Sequence, residues 1–90
     1  MYNSNSRQKA VDMSVRAYIL LHVTDGKSEI VARAIQRKPG VLIADQLEGP
    51  PDLMIVVEAA ERVELAHLTV QALETVETMI EDMRLLPTHS

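Results

Sequence analysis

Val15, Ala17, Ile19, Leu21 and Val23 alternate with Arg16, Tyr18, Leu20, His22 and Thr24, and this period of two predicts a strand. Thr24-Asp25-Gly26 then offers turn and N-cap chemistry, and Ile30, Val31, Ala34 and Ile35 recur at helical spacing until Pro39-Gly40 forbids continuation. A first helix is therefore expected from about Lys27 to Lys38, with Arg33, Arg37 and Lys38 in its later turns, where positive charge suits the helix dipole. Val41 to Glu48 reads as a second strand, Gly49-Pro50-Pro51 as a turn, and Asp52 to Glu58 as a third strand. So short a turn makes the pair an antiparallel hairpin. From Ala60 to Val76 the residues Val63, Ala66, Val70 and Leu73 form one apolar stripe, widened by Leu65, Leu68, Ala72 and Val76, which predicts a second helix. Met79 to Leu86 is the last strand, interrupted by Glu81, Asp82 and Arg84 and ended by Pro87.

The order βαββαβ gives an α+β, ferredoxin-like fold: a four-stranded antiparallel sheet with both helices on one face. The other face is then left open, and it is apolar. The first strand places Tyr18, Leu20 and His22 there, the third Met54 and Val56, opposite Leu53, Ile55 and Val57. A patch of that kind is one that soluble monomers avoid, so two sheets are expected to pack face to face in a homodimer, a dimeric α+β barrel. The chain of 90 residues has room for one domain, at residues 15–87, small enough that its core alone leaves it modestly stable. Residues 1–14 read as a mobile extension and 88–90 as a tail.

Composition narrows the chemistry. Hydrophobic residues make up 47% of the chain, yet Phe and Trp are absent and Tyr2 and Tyr18 are the only aromatics, so the core is aliphatic. A net charge of −4, with no basic cluster beyond Arg37-Lys38, argues against direct nucleic-acid binding. The absence of cysteine removes disulfides, thiolate metal sites and cysteine nucleophiles together, and is compatible with a cytoplasmic protein. No apolar run approaches the roughly 20 residues of a membrane helix, and the polar N-terminus has no signal-peptide core. No cofactor is expected.

Ala17-Tyr18-Ile19-Leu20, the Pro39-Gly40-Val41 helix exit, the strand that follows, and Gly49-x-x-Asp52-Leu53 together resemble the effector-binding domain, or RAM domain, of Lrp/AsnC-type transcriptional regulators. The resemblance covers Val15 to Leu86. It implies a subunit that dimerises through its sheets, often joins further into rings of dimers, and binds an amino acid or related effector between subunits near the turn between strands two and three. On this reading Glu48, Gly49, Pro51 and Asp52 are the ligand-binding residues, and Tyr18, Leu20, His22, Met54 and Val56 the dimer face. Glycine lets an effector approach bare backbone, and a carboxylate pairs with an ammonium group. Two departures stand out. The residues before Val15 are too few for the helix-turn-helix of full-length members, so a stand-alone module acting on a separate DNA-binding regulator is expected. Pro51 stands where the family commonly has an aromatic residue, removing that side chain and a backbone donor.

Other roles for these residues stay open. Gly49 and Asp52 also suit a tight turn closed by a local backbone bond. His22 is either a base or ligand contact in the dimer cavity or a hydrogen-bonded interface histidine. His67, near the core stripe, and His89, in the tail, share no metal-ligand spacing with it, so no metal site is expected. Glu74, Glu77, Glu81 and Asp82 read as a solvated edge. Two further classes use the same fold: dimeric α+β barrel enzymes of the small monooxygenase or isomerase type, and ACT-like amino-acid sensors, which would bind at Asp25-Gly26.

Overall fold

The computed structural model describes residues 14–86; residues 1–13 of the expected extension, Pro87 and the tail with His89 lie outside the described residues. Strand β1 runs Val15–Val23, helix α1 Ser28–Gln36, β2 Val41–Gln46, β3 Leu53–Ala59, helix α2 Arg62–Glu74 and β4 Ile80–Leu86, with a short 3₁₀ turn at Glu77–Met79 before β4. The strands form one antiparallel sheet in the order β2-β3-β1-β4. This is the expected ferredoxin-like arrangement.

The central pair explains the apolar alternation. β1 and β3 align Ile19 with Ile55 and Ala17 with Val57, so Ile19, Leu21, Val23, Leu53, Ile55 and Val57 all point beneath the helices and are buried. Val31 and Ile35 of α1 and Ala72 and Val76 at the end of α2 close this aliphatic core from above. Cross-strand pairs of this kind are the unit of sheet stability. The outer strands differ. β4 keeps Glu81, Asp82 and Arg84 because it is an edge, where charge discourages pairing with stray strands. Each outer strand also carries an irregularity, between Val41 and Ile43 in β2 and opposite His22 and Val23 in β4.

Three expectations need correction. The Thr24 to Gly26 segment makes the turn, with Lys27 N–H donating to the Thr24 carbonyl, but the N-cap of α1 is Lys27 and no side chain caps it. The helix is shorter than expected because its last turn is closed by Lys38 N–H donating to the Ile35 carbonyl ahead of Pro39. Gly40 follows with φ +81°, and a Cβ there would lie 2.6 Å from Leu68 Cδ1 and 3.1 Å from the Glu58 carbonyl, so both conformation and space require glycine. The third correction concerns α2. Its core side is Leu65, Leu68, Ala72 and Leu73, continued by Val76 just past the helix, while Val63, Ala66 and Val70 are exposed, so three of the four residues taken as the primary stripe point away from the sheet.

Candidate functional site

The open face of the sheet has an apolar middle and two polar ends. At one end Arg16 and Glu58, paired across β1 and β3, form an ion pair of 2.8 Å, and Ser14 Oγ donates to the same carboxylate. The Arg16 guanidinium holds the Glu58 carboxyl below the usual carboxylate range. In the middle, Tyr18, Leu20 and Met54 are half-buried, and Val56, flanked by Tyr18 and Ile43, is only 2% exposed. At the other end stands the β2–β3 turn.

That turn is tied down by its last residue. Leu47 N–H donates to the Asp52 carbonyl at 2.6 Å, and Asp52 N–H donates to the Leu21 carbonyl at 2.7 Å, which pins the hairpin to β1. The Asp52 carboxylate then accepts from Val23 N–H at 2.9 Å and from His22 Nδ1 at 2.8 Å, both on Oδ2. Donation from the Val23 amide is the main cause that lowers the Asp52 carboxyl below its ordinary value; partial burial opposes it and His22 assists. With Nδ1 committed, Nε2 of His22 faces the other side, 3.7 Å from the Glu81 carboxylate. Asp52 thus orients the ring as well as the turn.

Beside this cluster lies a pocket of about 190 Å³ lined by Leu20, His22, Pro50, Pro51, Asp82 and Arg84. Its floor and turn side are apolar, and β4 supplies one cation and one anion. The peptide between Pro50 and Pro51 is cis. Glu48 and Gly49 are exposed at the tip of the turn, Gly49 with φ +72° and open space around it, while Pro51 and Asp52 are half-buried at its base. The structure therefore brings Pro51 and His22 to one pocket and places Asp52 behind them, whereas Glu48 and Gly49, exposed in the turn, do not line it. Arg84 and Asp82 are the pocket residues that sequence reasoning assigned to an interrupted strand and a solvated edge. Their spacing of two was visible, but only the register of β4 on β1, Asp82 against His22 and Arg84 against Leu20, puts them on the open face.

The remaining candidates lie apart. Asp25 and Gly26 are exposed in the loop before α1, and His67 is exposed on α2, away from the core. Among the described residues no group of three or more His, Cys, Asp or Glu side chains is arranged to hold a metal ion, and no helix is long and apolar enough to cross a membrane.

No protein-family model matches the chain, and no curated protein does. Solved structures do. The hypothetical protein PHS023 of Pyrococcus horikoshii superimposes with a TM-score of 0.71 at 22% identity, over 87% of this chain and 93% of that one. These likenesses define the class as ferredoxin-like α+β. Within it, FFRP-DM1 matches with a TM-score of 0.69 at 21% identity over 83% of this chain and 99% of its own. The transcriptional regulator NMB0573 of Neisseria meningitidis, solved as a complex with L-Met, matches with a TM-score of 0.68 at 15% identity over 91% of this chain, which spans 54% of the regulator.

Proposed function

We propose that this chain is a regulatory ligand-binding module similar to the effector domain of Lrp/AsnC regulators. It holds a small molecule such as an amino acid where the β2–β3 turn meets β1 and β4. The observation that carries this reading is the convergence of Arg84, Asp82 and His22 with Leu20, Pro50 and Pro51 in one pocket. A zwitterion with an apolar side chain finds there a cation for its carboxylate, an anion for its ammonium and an apolar wall for the rest. Asp52 serves this site by fixing the turn and His22. The shared fold of FFRP-DM1 and of a regulator solved with L-Met supports the reading. The apolar open face is the homodimer surface, which encloses the pocket further, and a DNA-binding regulator is the partner through which binding acts.

Calorimetric titration with the common amino acids tests this. One of them binds, and Arg84→Ala weakens it about tenfold or more, as expected for a charge-assisted contact worth at least roughly 1.4 kcal/mol. Absence of binding by every amino acid sinks the proposal.

The His22–Asp52 pair favours a second reading, a dimeric α+β barrel enzyme. An imidazole held at Nδ1 by a carboxylate is the arrangement of an oriented general base. Under that reading the protein exchanges the α-protons of small carbonyl compounds for deuterium, observed by NMR, and His22→Gln abolishes the exchange. No exchange by the parent chain removes it.

A further inference from the structure

Helix α2 carries two apolar stripes. Leu65, Leu68 and Ala72 serve the core, and Leu73 is half-buried at its border and lines both core and groove, but Val63 and Val70 are 77% and 63% exposed. The neighbouring strand is also left bare on the helix side. α1 packs chiefly on β2, and α2 on β3 and β1, so Met83 and Leu85 of β4 remain 52% and 61% exposed. A groove of about 430 Å³ runs between helix and strand, lined by Val70, Leu73, Glu74, Glu77, Ile80 and Met83. Through Val70 it continues into a second groove along Val63 and Ala66. Soluble chains seldom leave so continuous an apolar surface uncovered.

The spacing of the outer stripe says what fits it. Val63, Ala66, Val70 and Leu73 follow the three-four-three interval of a coiled-coil seam. The same positions are symmetric about Leu68: Val63 and Leu73 lie equally far from it, as do Ala66 and Val70. A seam with that symmetry matches a reversed copy of itself, setting Val63 against Leu73 of a second copy and Ala66 against its Val70. Charge selects the same direction. Arg62 and Glu74, at opposite ends of α2, are also symmetric about Leu68, and neither is in an ion pair among the described residues. Antiparallel alignment brings Arg62 level with Glu74 of the second copy, whereas parallel alignment sets like charges side by side.

We propose that a second copy of this chain docks in this groove through an antiparallel α2–α2 pair, with Met83 and Leu85 of β4 covered beside it. The contact is isologous and lies on the helix side, away from the open sheet face. A chain that uses both surfaces builds an assembly larger than a dimer; a chain that uses this one alone is a dimer.

Sedimentation equilibrium of the full chain tests the interface. Val70→Lys, at a position exposed in the single chain, keeps the far-UV circular dichroism of the parent, and its assembly falls to half the parent's mass or less at equal concentration. The drop occurs whether or not the sheet faces also pair, so failure here and failure of the ligand-binding reading are distinguishable. Because the chain has no cysteine, oxidising a mixture of Val63→Cys and Leu73→Cys chains tests the direction. The mixed disulfide is expected. Unchanged mass in both Val70→Lys and Val63→Lys overturns the interface, and a disulfide between two Val63→Cys chains overturns the antiparallel alignment.

Discussion

Met54 and Ile55 are adjacent in β3, yet Ile55 is sealed beneath the helices while Met54 stays half-exposed on the opposite face. The helix-side face at the centre of the sheet holds only aliphatic side chains, and no buried polar or charged side chain is found among the described residues. The open face mixes its apolar middle with an ion pair at one end and the His22–Asp52 cluster at the other. One face therefore maintains the fold, and the other is free to take part in assembly and binding. The alternation of a strand lets a single run of sequence do both.

The largest test of that contrast compares the two neighbours. Ile55→Ala removes a fully buried side chain and leaves a cavity, lowering stability by about 2–5 kcal/mol in denaturant titration. Met54→Ala, measured at a concentration low enough to keep the chain monomeric so that solvent reaches its side chain, lowers it by less than about 1.5 kcal/mol. Equal losses would mean that the open face is as much a part of the single chain's core as the covered one.

The difference between the faces also explains what was legible in the sequence. Alternation in β1 and the helical period of α1 identified the covered face directly, since Ile19, Leu21, Val31 and Ile35 are there for burial alone. The stripe of α2 misled, because two apolar stripes share one helix and periodicity does not say which meets the sheet. Asp52 and His22 were visible as candidates, but their contact spans two strands, and the bulge that sets β4 against His22 has no signature in the sequence. Arg84 was hidden for that reason. Local pattern reveals which residues want burial, while polar sites depend on register between distant segments.

A middle-sized effect is expected at the anchored turn. Asp52→Ala deprives Val23 N–H and His22 of their acceptor and lowers the melting temperature by roughly 5–10 °C, while the core stays intact. Acid titration sharpens this. The Asp52 carboxyl is held below its unfolded value, near 3.9, so its contribution to stability is fully present above that pH and is lost as pH falls through the lower folded value. As pH falls below about 4, the melting temperature of the parent chain therefore drops more steeply than that of Asp52→Asn. Parallel slopes would show that the turn is not held by this carboxylate.

The smallest effect belongs to the opposite end of the open face. Arg16 and Glu58 form as short a contact as His22 and Asp52, 2.8 Å in each case, but Arg16 is about half exposed and, among the described residues, no backbone group donates to the Glu58 carboxylate. Water screens such a pair, and two long side chains lose freedom in making it. Glu58→Gln is expected to lower the melting temperature by less than about 3 °C at low salt. The difference shrinks further near 1 M salt, where the screening length falls to about 3 Å. Asp52→Ala should lose far less of its effect in the same salt, because its amide contact is a short hydrogen bond rather than an attraction between exposed charges. A Glu58→Gln loss as large and as salt-resistant as that of Asp52→Ala would place a structural anchor at both ends of the open face and leave the turn end with no special role.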